Sequence, residues 1–451
     1  MKDISFNVQA TESLCPVCLK KIPARRVMNG CVARIEKQCP EHGLFSTPFW
    51  RGEPAFEGWS RPKIPSTPPM AEEGREGCPF DCGLCAGHNQ HTCTALLEIT
   101  WRCDLACKVC FASAGKPVAP DPSLEELDII LRKVRSAAGP CNLQLSGGEP
   151  AVRDDLPKIT ALAKKHGFPF VQVNTNGMRV AREHGLAARW AEAGVDSVFL
   201  QFDGTRDDIY TEIRGKAILE DKIRAIENLT AAGIGVVLVP TVVPDVNDDN
   251  LGDILKLAIS YSPGVRGIHF QPISYFGRYP QAPTDNMRIT LPEIMTGLEE
   301  QSGQAIRKTD FMPPGCEHSL CSFHANYLLM EDGSLRKLSG GKEGCCSPKP
   351  AVEGADKSKA FVRRQWAAPE TGCACTSAEQ LDDLDRFINR AKTHILAISG
   401  MAFQDAWTLD LERLKGCCIH VVSPEGKLIP FCAYNMTAMD GSTLYRRIID
   451  D

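Results

Sequence analysis

Residues 95–111 read ALLEITWRCDLACKVCF. An apolar run, Ala95 to Trp101, leads into Cys103, Cys107 and Cys110, spaced C-x3-C-x2-C. Three thiols in so tight a loop cannot bury one another as ordinary core, but they can bind metal. A structural zinc loop and an iron–sulfur cluster both use such ligands. Three Cys are one short of the four that close a [4Fe-4S] cluster. A cluster held here keeps one iron open, and an open coordination position is what a reactive site requires.

Downstream, strand-like runs alternate with helix-like ones. The strand-like runs are 95–100, 141–146, 170–174, 197–202, 235–242 and 266–271. The clearest helix is 123–137, where Ser123 and Glu126 form a capping box and Leu124, Leu127, Leu131 and Val134 form an apolar stripe. This alternation predicts an α/β fold, a partial (β/α)6 barrel spanning 95–300, with functional groups at the C-terminal strand ends. Those ends are polar or Gly-rich. Strand one ends in the Cys triad, strand two in Gly147-Gly148-Glu149-Pro150, strand three in Asn174-Thr175-Asn176-Gly177, and strand four in Gln201-Phe202-Asp203. Paired glycines allow close backbone approach, and the adjacent carboxylate can accept from an ammonium.

A C-x3-C-x2-C triad after the first strand, with GGEP after the second, resembles the radical SAM superfamily. The resemblance implies that the open iron binds the amino and carboxylate groups of S-adenosylmethionine (SAM). One electron then cleaves SAM to methionine and a 5'-deoxyadenosyl radical. It further implies that Glu149, in the Gly147-to-Pro150 motif, receives the methionine amine. Asn176, Gln201 and Asp203 resemble positions that touch the ribose or carboxylate, although each could equally cap the following helix. Arg214 could pair with a carboxylate or form a surface salt bridge. The aromatic usual before the third Cys is Val109 here, and Phe111 follows it.

The chain has 451 residues, 21 of them Cys, and none of those falls between 142 and 315. Clustered Cys at short spacings read as metal sites rather than a disulfide framework. Residues 1–52 carry Cys15-Pro-Val-Cys18 and Cys39-Pro-Glu-His42, two paired-ligand turns for Zn or a rubredoxin-like mononuclear iron, with Cys31 competing with His42 as fourth ligand. Residues 53–94 comprise a Pro-rich linker and a second C-x3-C-x2-C. There Cys78, Cys82 and Cys85 are expected to join Cys93 in a closed auxiliary cluster, with His88 and His91 as alternative ligands. In the Cys-rich region 301–451, GCCIHVVSPEGKLIPFC reads as a hairpin turning at Ser423-Pro-Glu-Gly426. Cys316 and Cys321 are expected to meet Cys432 and one of the adjacent Cys417 and Cys418, here Cys418, in another auxiliary cluster. Cys345, Cys346, Cys373 and Cys375 have no assigned role.

The net charge of -5 disfavours a nucleic-acid surface, and no apolar run of membrane length is present. The N-terminal residues have no apolar signal core. These features lead us to expect a cytoplasmic, oxygen-sensitive protein with one or two auxiliary Fe-S clusters. The order of all Cys blocks resembles the tetraether lipid synthase-like radical SAM group, whose members are also described as pterin methylases and as TrsS-type radical SAM (seleno)proteins. That resemblance implies a low-potential electron donor such as ferredoxin or flavodoxin, and hydrogen abstraction from a lipid-like substrate. A peptide or a pterin is the alternative substrate. A non-catalytic Fe-S/zinc electron-transfer scaffold would explain the Cys blocks but not the open triad or GGEP. Changing a triad Cys to Ala is expected to abolish SAM cleavage, read as 5'-deoxyadenosine. Undiminished 5'-deoxyadenosine formation would refute the assignment.

Overall fold

The computed structural model describes residues 8–68, 74–115, 119–338, 348–369 and 383–446. Cys345, Cys346, Cys373 and Cys375 lie outside them. The first unit is an antiparallel meander of β1 (Val8–Leu14), β2 (Lys21–Asn29), β3 (Val32–Cys39) and β4 (Gly43–Arg51). The β1–β2 and β3–β4 turns bring Cys15, Cys18, Cys39 and His42 within 4.8 Å of one another. Cys31 sits exposed at the β2–β3 turn, apart from that group.

The central sheet starts with β6 (Thr94–Thr100), after the short β5 (Lys63–Ile64). It continues through β7 (Asn142–Gly147), β8 (Val171–Thr175), β9 (Ser197–Gln201) and β10 (Gly235–Val239) to β12 (Val265–Pro272). Neighbours along this series pair in parallel, and β11 (Thr241–Val242) extends the pairing with β12. Helices cross between these strands, so the expected β/α alternation is what forms. In the helix Leu124–Ala138, Ser123 and Glu126 close the capping box, while Leu127, Leu131 and Val134 are buried. That burial contributes about 1.5–3 kcal/mol per side chain before entropic costs.

The sheet does not stop near residue 300. Beyond β12 it adds β16 (Ile395–Met401) in parallel and β13 (Ser322–Leu329) antiparallel to β16, with β14 (Leu335–Lys337) at the edge. Beyond β6 it adds β17 (Ile419–Val422) in parallel and β18 (Leu428–Pro430) antiparallel. The hairpin of β17 and β18 turns where Gly426 takes a φ of +85°. β15 (Lys349–Pro350) pairs with β5 and leads into the helix Ala351–Trp366. This helix covers the N-terminal end of the barrel: Trp366 O occupies the space above Gly235, and Arg363 donates to Asn142 Oδ1 at 3.1 Å.

Buried charges bind the outer pieces to the barrel. Arg446 donates to Glu98 Oε1 at 2.6 Å, with both side chains nearly inaccessible. Lys37 of β3 is fully covered and donates to Ser13 Oγ at 3.0 Å and Ala406 O at 2.6 Å. Burial pushes its ammonium down to about 7. Among the described residues no helix is long and apolar enough to cross a membrane.

Candidate active site and metal centres

The Cys103–Cys110 loop leaves the C-terminal end of β6 and is clamped from two sides by backbone. From β7, Gly148 N donates to Thr100 O at 2.8 Å and Glu149 N to Arg102 O at 2.8 Å. A Cβ on Gly147 would lie 2.2 Å from Thr100 O, and one on Gly148 would lie 2.1 Å from Arg102 O. The paired glycines are therefore needed for the strand end to reach the Cys loop. On the other side, Cys110 and Arg278 exchange backbone bonds of 2.9 and 3.0 Å. Arg278 also donates from Nε to Cys107 O at 3.1 Å and from Nη1 to Ala114 O at 2.8 Å. Its neighbour Gly277 has a φ of +56°, and a Cβ there would lie 2.6 Å from Cys110 O. Nothing in the sequence around Arg278 marked it as part of the site.

Glu149 is only 2% exposed. Its carboxylate accepts from Thr175 Oγ1 at 2.6 Å, Asn176 N at 2.6 Å and Ala151 N at 2.9 Å. Burial nonetheless pushes it up to about 7, and among the described residues its hydrogen bonds come from no charged group. Pro150 opens the short 3-10 turn behind it and is itself buried. Asn176 caps Met178 N through Oδ1 at 2.9 Å and donates through Nδ2 to Asp104 Oδ1 at 2.6 Å. Asn176 thus caps the following helix, and it also lines the cavity.

Asp203 departs from expectation: it is absent from the cavity wall and inaccessible. Its carboxylate is taken by Arg214, at 2.7 and 2.8 Å, by Thr241 N at 3.1 Å, and by Gln201 Nε2. Arg214, not Asp203, presents to the cavity. Beneath them Lys222 is fully covered, donating to Gln201 Oε1 at 3.0 Å and to Asn176 O. Burial pushes it down to about 8. In sequence Lys222 reads as a solvated residue of a helix, so no local signal revealed it.

One cavity of about 1100 Å³ joins these parts. Its lining includes Cys103, Cys107, Cys110, Gly147, Gly148, Glu149, Gln201 and Arg214 at the rim. Deeper, it is faced by Gln144, Asn174, His269, Asn326 and Ser399 from the strands. Burial holds Cys103 up at about 12, a neutral thiol until a cation replaces its proton. Cys103, Cys107 and Cys110 on one cavity wall with the buried carboxylate of Glu149 fit a cluster that binds a cationic, amine-bearing cofactor.

The other Cys gather differently from expectation. Cys78, Cys82 and Cys85 do surround one small hollow, which His88 and Lys415 complete, while His91 Nε2 donates to Thr67 O at 3.0 Å. Cys93 is not their partner: its Sγ stands 2.8 Å from Cys316 Sγ, and with Cys418 the three lie within 4.8 Å. The expected set of Cys316, Cys321, Cys418 and Cys432 is thereby divided. Cys321 and Cys432 instead interact electrostatically with Cys417. The physical reason is the strand start at β17, where adjacent side chains diverge. Cys418 turns to Cys93 and Cys417 turns away.

Residues 97–258 match the family model of the radical SAM superfamily, and residues 8–51 match the HMPTM N-terminal zinc ribbon domain. The chain is 33% identical to the 7,8-dihydro-6-hydroxymethylpterin dimethyltransferase of Methanocaldococcus jannaschii, over 98% of this chain and 94% of the relative. It is 32% identical to mycofactocin maturase MftC of Mycolicibacterium smegmatis, over 39% of this chain and 44% of that relative. Among solved structures, methylornithine synthase (PylB) aligns with a TM-score of 0.38 and 11% identity, covering 48% of this chain and 63% of that one. None of these proteins supports the lipid-like substrate expected from sequence.

Gly148→Ala should force the strand end and the Cys loop apart, because the methyl group would fall on the Arg102 carbonyl. Iron bound per chain at the triad is expected to drop severalfold after anaerobic reconstitution, with helix and sheet content unchanged. Full iron retention would contradict the clamp.

Proposed function

The chain belongs to the radical SAM superfamily, in the family of the 7,8-dihydro-6-hydroxymethylpterin dimethyltransferase of M. jannaschii, and from that premise we propose that it methylates a reduced pterin. The observation that carries this reading is the extent of the likeness, which spans the ribbon, the barrel and the Cys-rich C-terminal strands. Likeness to the peptide maturase covers only 39% of the chain, so a peptide substrate has weaker support. The deep lining agrees with a pterin. Gln144, Asn174, Asn326 and Ser399 offer neutral donors and acceptors within a largely apolar lining, which suits an uncharged heterocycle.

Cys103, Cys107 and Cys110 would hold the [4Fe-4S] cluster. When bound there, the cluster supplies the electron that cleaves SAM and starts radical chemistry. Glu149 would accept an N–H bond from the amino group of SAM, a cofactor whose positive charge suits its buried carboxylate. Arg214, fixed by both Asp203 oxygens, would face the cofactor's carboxylate as a charge-assisted donor. Lys222 orients Gln201 and the Asn176 carbonyl from below.

Accepting from the SAM amino group requires ionised Glu149, whose carboxyl burial pushes up to about 7. Below that pH the group is protonated and SAM binding must expel the proton. SAM affinity should therefore rise as pH increases through about 7. Glu149→Gln should weaken binding by about 1.5–3 kcal/mol, roughly ten- to a hundredfold, and flatten the pH dependence. An unchanged pH profile in that variant, measured by equilibrium dialysis, would remove Glu149 from the role.

The function itself is tested with anaerobic, reduced protein, SAM and 7,8-dihydro-6-hydroxymethylpterin, followed by mass spectrometry of the pterin. One or two added methyl groups are expected. SAM cleavage with the pterin recovered unchanged would contradict the proposal.

A further inference from the structure

Below the groups that would face SAM, the barrel strands present a second layer of side chains. Residues two apart on a strand share a face, so Asn174 lies below Asn176 at the end of β8, and Phe199 below Gln201 at the end of β9. The two strands pair with Asn174 opposite Phe199, which sets both at one level. Two residues of strand span about 7 Å, and all four side chains line the cavity. This lower layer is therefore the part of the barrel interior next to the SAM site.

Three rings form one wall of the layer. Phe199 stacks on His269 of β12, with ring centroids 5.6 Å apart and an interplanar angle of 27°. Trp366, at the end of the helix Ala351–Trp366, stands 4.9 Å from Phe199 and 6.3 Å from His269. All three line the cavity. His269 is only 7% exposed. Its Nδ1 shares a hydrogen bond of 2.8 Å with Ser399 Oγ, directly opposite it on β16. Its Nε2 has no hydrogen-bond partner among the described residues. Burial alone pushes the imidazole down to about 4, so the ring is uncharged at neutral pH. Asn174 Oδ1 is also buried and without a partner among the described residues, while its Nδ2 reaches Ser146 Oγ at 3.5 Å. A buried acceptor left unpaired costs stability, and a bound donor completes it.

We propose that this layer binds a flat, uncharged nitrogen heterocycle, packed against the wall of Phe199, His269 and Trp366 and hydrogen-bonded to His269 Nε2 and Asn174 Oδ1. Such a ring gains from aromatic contact on its face and carries N–H, ring-nitrogen or carbonyl groups at its edge. The neutral imidazole offers Nε2 as a donor or an acceptor according to the tautomer that Ser399 selects, and the amide oxygen takes an N–H. An alkyl chain would leave both polar atoms unpaired in the interior, and a charged group would find no countercharge among these side chains. Ser399 acts through His269 and is a positioning residue. That the ring is a reduced pterin rests on the function proposed above.

The test uses the anaerobically reconstituted full chain before reduction, so that SAM stays intact. Equilibrium dialysis measures the affinity for 7,8-dihydro-6-hydroxymethylpterin in the presence of SAM, with circular dichroism, bound iron and SAM affinity as controls. Phe199→Leu and His269→Phe should each weaken pterin binding about tenfold, through loss of one stack or one buried hydrogen bond, and leave SAM affinity unchanged. Ser399→Ala should also weaken it, and Ser399→Thr should restore it, because threonine keeps the hydroxyl that orients the imidazole. If the unaltered protein binds the pterin and every variant binds it equally well, the assignment of this layer is overturned while the proposed function stands. Loss of SAM affinity in step with pterin affinity gives the wall to the cofactor's own ring or to a structural role, and overturns the assignment. An unaltered protein that takes up no pterin overturns the proposed function and this assignment together.

Discussion

The contact on which the site depends is backbone against backbone. The end of β7 lies directly on the loop leaving β6, with the Thr100 and Arg102 carbonyls in the space that side chains at Gly147 and Gly148 would need. Two hydrogen bonds of 2.8 Å, from Gly148 N and Glu149 N, fasten that contact. It fixes where three thiols stand relative to one carboxylate. Hydrogen bonds hidden from water add about 1 kcal/mol each to stability, but leaving such groups unpaired costs more. The junction is therefore either made as a whole or lost. Glycine serves here because only a residue without Cβ permits the approach.

Around that junction the rim is held by charges that water does not reach. Asp203 and Arg214 form a two-pronged pair with both side chains nearly inaccessible. Lys222 lies below them, and Glu149 beside them. Removing one partner of a buried pair costs about 3–5 kcal/mol, because the other remains charged and alone. This arrangement keeps Arg214 pointed into the cavity. Glu149 takes its hydrogen bonds from no charged group among the described residues, and a cationic cofactor suits it. The same logic applies to Cys103, whose thiol burial pushes up until metal displaces the proton.

Much of this was legible in the chain. The six core strands, the capped helix after the Cys loop, the Ser423–Gly426 turn and the grouping of Cys15, Cys18, Cys39 and His42 all follow from local spacing. So do the triad and GGEP, because each sits at a strand end. What spacing could not reveal was pairing across the barrel. Cys93 is eight residues from Cys85 in sequence, yet it belongs with Cys316 and Cys418, since β6 and β17 are neighbours only after folding. Asp203 looked like a ligand-facing residue, and the partner that occupies it, Arg214, comes from the following helix. Lys222 and Arg278 act through backbone carbonyls and amides, which leave no mark on residue type. The C-terminal strands looked like a separate region because nothing local shows that β16 and β17 complete opposite edges of one sheet.

The central claim is that the Cys103, Cys107 and Cys110 loop presents an open iron to SAM inside this cavity. The most direct measurement is the electron paramagnetic resonance spectrum of the anaerobically reconstituted, reduced protein before and after addition of SAM. A change in the reduced cluster's signal that disappears in the Cys107→Ala protein is the predicted result. A spectrum that SAM leaves untouched, or a loop found to carry zinc, would contradict the account.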